Sequence, residues 1–315
     1  MQPTQRMAQL LKQNIGRVVV GKGNVIDLLL ISMLCRGHVL IEDVPGVGKT
    51  TLVSALARSL DCSFKRIQFT PDITPSDITG FSIVNFKTGE LEYRSGLIMS
   101  QIVLADEINR TSPKTQSSLL EVMEEGQVTV DGVTYRMPQP FIVMATQNPV
   151  DFVGTYPLPE AQLDRFFMRI SMGYPSQDEE TAILERFTVG ARPMEDLRPI
   201  CSAQDILNLQ VQVDDVYSSK EVRAYISAIA AASRKHSALQ LGISTRGAIF
   251  LLRAAQACAL LEGRDYVIPE DVQRMAVPVL AHRIVPSPEA RMRNMSAERV
   301  LQSVIGSVQV PVKLS

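Results

Sequence analysis

The sequence predicts an α/β domain of five strands, interrupted by β-hairpins and followed by an all-helical domain. Three features carry that expectation. Short apolar runs alternate with segments of helical spacing through the first 175 residues. Two stretches of alternating β-rich sequence close on glycine turns within that alternation. From residue 178 onward the strand signals give way to helical ones.

Residues 7–15 have helical spacing and lead into Gly16-Arg-Val-Val-Val-Gly21. An apolar helix then runs from Asn24, its expected cap, to about Cys35. The loop of Val19, Val20 and Gly21 could lie against a purine ring or form a plain turn between two helices; spacing does not separate the two.

Val39-Leu40-Ile41 is an apolar run short enough for a buried strand. Behind it stand Glu42-Asp43-Val44-Pro45-Gly46-Val47-Gly48-Lys49-Thr50-Thr51, and Leu52, Val53, Leu56, Ala57 and Leu60 then recur at helical spacing. Strand, glycine loop and helix is the context of a phosphate-binding loop, hence of ATP. Two glycines let the backbone approach phosphate oxygens, and N–H groups at the helix start point at the anion. Lys49 supplies a point charge for the β- and γ-phosphates, and Thr50 a hydroxyl for Mg²⁺. The general pattern has glycine where this chain has Asp43, but the later glycines, the lysine and the threonine are intact.

Phe64 to Phe69 alternates as a second strand, and Thr70 to Gly80, with two prolines and two aspartates, reads as loop. Residues 81–96 read as a hairpin about Lys87-Thr-Gly89. Ile102 to Asp106 is a third strand running into Glu107. Open α/β sheets place ligands at the carboxyl ends of their strands. There Asp106 can hold Mg²⁺ through water, and Glu107 can orient and deprotonate an attacking water. An acidic pair can also simply cap a helix, but the glycine loop upstream favours the chemical role.

A short helix is expected at Ser117 to Glu125, then a hairpin from Gly126 to Arg136 about Asp131-Gly132. Phe141 to Ala145 is a fourth strand, ending in Thr146-Gln147-Asn148-Pro149. A polar side chain here can touch the γ-phosphate or the water, although a plain turn before proline has the same sequence. The fifth strand is expected at Phe166 to Met172. Tyr174-Pro175-Ser176 marks the boundary, giving units 1–175 and 176–286 and a linker and tail helix over 287–315. Helices are expected at about 178–188, 203–211, 218–236, 244–262 and 269–282; Ser244 caps the one carrying Arg246.

Composition narrows the function. The chain has 315 residues, 45% hydrophobic, and a net charge of −1, so no global field draws it to nucleic acid or membrane. Four scattered cysteines and three separated histidines argue against zinc and for buried free thiols in a reducing cytosol. With no apolar signal core and no run long enough for a bilayer, the expectation is a soluble cytoplasmic protein.

Seven segments together resemble the MoxR group of AAA+ ATPases: Glu42 to Thr50, Arg66 to Asp72, Pro75 to Gly80, Ala105 to Arg110, Ala145 to Pro149, Tyr156 to Ala161 and Leu163 to Phe166. They span most of residues 17–286. The resemblance implies a P-loop AAA+ core, with a five-stranded parallel sheet flanked by helices, plus a helical lid. It implies Lys49 and Thr50 as the Walker A lysine and magnesium ligand, Asp106 and Glu107 as the Walker B pair, and Asn148 as the first sensor. Arg165 would be an arginine finger reaching a neighbour's nucleotide, with Arg169 a rival, and Arg246 the second sensor on the lid. Spacing alone would leave Arg165 and Arg246 as surface arginines. The hairpins would be insertions facing a ring's central pore. The implied assembly is a hexamer working on a protein client with a von Willebrand A domain partner, in remodelling, assembly or metal insertion. A nucleic-acid motor and a metal-chelatase motor subunit are the alternatives; few aromatics and few basic residues in the hairpins argue against the first.

Overall fold

The computed structural model describes residues 3–148, 154–188 and 192–311; Pro149 and Val312, which the sequence reading touches, lie outside them. Helices α1 (Pro3–Gly16) and α2 (Gly23–Leu34) precede β1 (Val39–Glu42), α3 (Lys49–Ser59) and β2 (Phe64–Gln68). Next come α4 (Pro75–Thr79), the hairpin β3 (Gly80–Val84) and β4 (Leu91–Ser95), then β5 (Ile102–Asp106) and α5 (Pro113–Glu125). A second hairpin, β6 (Gln127–Val130) and β7 (Val133–Arg136), leads to β8 (Ile142–Gln147), α6 (Glu160–Leu163) and β9 (Met168–Ile170).

The five sheet strands run parallel in the order β2-β5-β8-β1-β9. β1, β5 and β8 are central and covered on both faces, which is why they read as continuous apolar runs. Side chains alternate between two cores. Val39, Ile41, Ile102, Leu104, Ile142 and Met144 share one with α1, α2 and α3. Leu40, Val103, Ala105, Val143 and Ala145 share the other with α5. In register, Glu42 lies beside Gln147 and Gln68 beside Asp106. The segments that follow β1, β5 and β8 therefore emerge along one edge.

The remaining chain is mostly helical: α7 (Gln177–Thr188), α8 (Pro193–Asp196), α9 (Ala203–Asp215), α10 (Lys220–Lys235), β10 (Leu239–Leu241), α11 (Thr245–Leu261), α12 (Pro269–Leu280), β11 (Val285–Pro286), α13 (Pro288–Met292) and α14 (Ala297–Ser307). Its core, with Ile226, Ile229, Leu251 and Val279, also takes in Ile31 and Leu34 of α2 and Phe167 beside β9.

Local readings change, and the helix expected from Ser117 already begins at Pro113, capped by Ser112. The residue before α2 is Lys22, with no side-chain cap, so Asn24 is inside the helix. The stretch Thr70 to Gly80 contains α4, made possible by a reciprocal capping box between Thr74 and Asp77. The fifth strand covers only Met168–Ile170, because Phe166 and Phe167 are spent on a buried turn. The expected tail helix is present as α14, whose Val300, Leu301 and Val304 are buried, and just before it β11 pairs with β10. Cys35, Cys201 and Cys258 are buried free thiols, whereas Cys62 is half-buried. Among the described residues no helix is long and apolar enough to cross a membrane.

Candidate active site

A cavity of about 360 Å³ opens at the carboxyl edge of the sheet, lined by residues of the glycine loop together with Asp106, Glu107 and Asn148. Pro45, Gly46, Gly48, Lys49, Thr50 and Thr51 line it from the loop; the side chains of Val44 and Val47 do not. Gly46 and Gly48 have φ of +85° and +87° with open space where a Cβ would stand. Backbone conformation, and not crowding, is what requires glycine there. Gly48 precedes α3, and no side chain caps this helix start. By contrast Ser112, Ser202, Ser219, Ser244, Ser287 and Ser296 each cap the helix that follows them. The first N–H groups of α3 are thus left for an anion. Lys49 Nζ folds over the loop and donates to the carbonyls of Asp43 and Val44 at 3.0 and 3.2 Å.

Asp43, the departure from the general loop pattern, has a clear partner set. Its buried carboxylate accepts from the backbone N–H groups of Met172 and Gly173 and from the Ser171 hydroxyl. The loop is thereby tied to the chain leaving β9.

The acidic pair is held by its neighbours. Asp106 is buried; one oxygen accepts from Thr146 Oγ1 at 2.6 Å and the other from Arg66. Thr146 Oγ1 in turn accepts from the Glu107 N–H at 2.8 Å, which fixes the backbone at the strand end. Glu107 has φ of +59°, a left-handed conformation uncommon outside glycine. Its carboxylate accepts from Gln68 Nε2 at 2.8 Å, and Arg110 Nε lies 3.3 Å away. Asn148, buried at the end of β8, faces the same cavity. Arg66 and Gln68 are cavity residues that the sequence reading assigned no role. Period-two alternation on β2 puts both on one face beside Asp106 and could have signalled them.

A hydroxyl from Thr50 and a carboxylate from Asp106 are hard oxygen donors lining this one cavity, a set that fits Mg²⁺ better than softer metals.

Arg165 and Arg246 are brought together, but elsewhere. Arg165 Nε lies 3.2 Å from one oxygen of Glu124, and Arg246 Nη2 donates to the other at 2.7 Å. A second cavity, about 280 Å³, is lined by these three residues with Arg36, Phe167 and Phe250, and it shares no lining residue with the first. The cavity is thus lined by three arginines and one glutamate; two of the arginines pair with Glu124, and Arg36 donates to Gln210. Arg169, the rival arginine, pairs instead with Glu42 at 3.1 Å and with Glu298, within its own chain.

Val19 and Val47 pack against the same core, while Val19, Val20 and Gly21 do not line the glycine-loop cavity. Gly21 has φ of +74°, and a Cβ would collide with the Glu179 carboxylate.

The chain matches the model of the ATPase family associated with various cellular activities over residues 38–168 and an AAA lid domain over residues 231–304. It is 54% identical to the Bacillus subtilis protein YeaC over 96% of this chain and 94% of that one. It is 41% identical to Chaperone MoxR1 of Mycobacterium tuberculosis, over 94% of this chain and 80% of the relative. A crystal structure from Cytophaga hutchinsonii superposes with a TM-score of 0.91 at 39% identity, covering 98% of this chain and 96% of that one. The fold, the motif order and these likenesses agree: the chain belongs to the MoxR family of AAA+ ATPases.

Proposed function

We propose that the protein hydrolyses ATP in a ring, each subunit completing its neighbour's site with Arg165 and Arg246, and that the cycle remodels a protein partner. One observation carries this reading. The two arginines that the family's motifs single out share one carboxylate on a cavity separate from the glycine loop. A single chain thus holds the binding half and the arginine half of an active site on different surfaces. An excess of guanidinium over carboxylate suits the second cavity to the spread charge of a transferring phosphoryl group.

Within one site the roles divide by position. The N–H groups at the start of α3 and Lys49 cradle the β- and γ-phosphates. Thr50 and Asp106 would hold Mg²⁺, which when bound supplies charge neutralisation at the phosphates. Glu107 takes the proton of the attacking water, and Asn148 positions that water. The purine rests near Val19, Val20 and Gly21.

A protein client is favoured over nucleic acid by the hairpin β3–β4. Phe81, Ile83, Val84, Phe86 and Leu91 are exposed there, Phe86 almost completely, against the basic residues Lys87 and Arg94. Strand-tracking proteins instead combine a basic groove with stacked aromatics. The name of the relative Chaperone MoxR1 points the same way. A hexamer and a von Willebrand A domain partner follow from the family resemblance.

The reading predicts an ATPase rate per subunit that rises with protein concentration and does not respond to DNA. A rate independent of concentration in a protein that stays monomeric would refute the shared site. Strong stimulation by DNA would replace the protein client with a nucleic-acid motor.

A further inference from the structure

We infer that Arg283 is a positioning residue that lets the helical unit set the placement of Arg165. The inference rests on the trans role proposed above.

Arg283 follows α12 in the 3₁₀ turn Ala281–Arg283 and is buried. Its guanidinium is spread over the turn that carries Arg165. Nε donates to Asp164 Oδ1 at 3.0 Å, Nη2 to the carbonyls of Asp164 and Phe166, and Nη1 to the carbonyl of Phe167. The backbone on both sides of Arg165 is thus gripped by one side chain from the helical unit. Nη1 also donates to Val279 of α12, and the guanidinium carbon sits 4.9 Å from the centre of the Phe250 ring. His282, the residue before it, places Nε2 3.0 Å from the Phe166 carbonyl.

The chemistry is costly for a mere spacer. Burying a guanidinium is unfavourable unless its donors are matched, and apolar packing would join two surfaces with less desolvation. Burial lowers the Arg283 pKa to about 10, so it stays charged at neutral pH. Its planar fork spans carboxylate and carbonyls at once, which an ammonium group does not.

Asp164 links Arg283 to Arg246, an arginine of the second cavity. One carboxylate oxygen accepts from Arg283, and the other lies 3.9 Å from Arg246 Nη1. Arg246 stands in the first turn of α11, in the same helical unit as Arg283. A shift of that unit relative to the sheet therefore moves Arg165 and Arg246 as a pair.

The test is a double-mutant cycle with subunit mixing. Arg283→Lys should fold, bind ATP within about threefold of wild type, and lose at least tenfold in kcat. In an Arg165→Ala background it should cause no further loss beyond about twofold, because both changes disable one group. Excess Lys49→Ala subunits, whose Arg165, Arg246 and Arg283 are intact, should restore turnover to Arg283→Lys subunits. Asp164→Asn, at a half-buried position, should follow the same pattern with a smaller loss and carries the test if Arg283→Lys does not fold. Wild-type kcat in both variants, losses that add to that of Arg165→Ala, or no rescue by Lys49→Ala would overturn the inference. If Arg165→Ala itself turns over normally, the trans reading fails instead.

Discussion

Arg66 lies across the Asp106 carboxylate, donating to a single oxygen from Nη2 at 2.6 Å and from Nε at 3.1 Å. That oxygen belongs to the residue expected to serve Mg²⁺. For the carboxylate to serve the ion, the guanidinium has to yield or water has to intervene. Arg66 is nearly half exposed, which weakens the pair. Arg66→Met keeps the stem and removes the charge. The Mg²⁺ concentration for half-maximal hydrolysis should fall about threefold, equivalent to roughly 0.7 kcal/mol. A rise would assign Arg66 to nucleotide binding.

Glu107→Gln should bind ATP with near-normal affinity in calorimetry and hydrolyse it roughly 10²–10⁴-fold more slowly, the usual worth of a general base. Turnover within a factor of two of wild type would remove Glu107 from that role. Asn148→Ala should likewise slow turnover at saturating ATP while sparing affinity.

Asp43→Ala should destabilise the fold by roughly 1–3 kcal/mol, because the Met172 and Gly173 N–H groups lose their acceptor. Urea denaturation measures this. Unchanged stability would show that water replaces the carboxylate at no cost.

His38 predicts an acid limb in stability. Nε2 donates to the Met123 carbonyl at 2.8 Å, and Nδ1 accepts from the Val143 N–H at 2.9 Å, so the neutral ring fits both partners. Burial lowers its pKa to about 4. The unfolded chain, with a histidine near 6.5, then binds more protons between those values. Stability is full above pH 6.5 and falls as pH drops towards 4, by up to about 3 kcal/mol from this residue. Burial lowers the His282 pKa too, and its contribution has the same sign. His38→Gln should be less stable at pH 7 and show a shallower decline to pH 5. An unchanged slope would exclude His38 as a source.

Much of this site could be read from residue order. The glycine loop, the acid pair and Asn148 each follow an apolar run, and parallel strands deliver run ends to one edge. What could not be read depends on contacts distant in sequence. Asp43 looks like a defect in a motif until Met172 and Gly173, about 130 residues away, come against it. Glu124 lies on an ordinary helix and gains meaning only between Arg165 and Arg246. The pairing of β10 with β11 is likewise hidden, because β10 is only three residues long and its partner carries Pro286.

The most direct measurement of the shared site mixes inactive subunits. Arg165→Ala subunits keep the glycine loop and lack the guanidinium; Lys49→Ala subunits keep the guanidinium and lack the phosphate lysine. Each alone should be nearly inactive, since an arginine finger is worth on the order of 10³–10⁵ in rate. Arg165→Ala subunits mixed with excess Lys49→Ala subunits should recover a plain fraction of wild-type ATPase activity. Mixed rings that form by native mass spectrometry yet stay at the background of either variant would contradict the account.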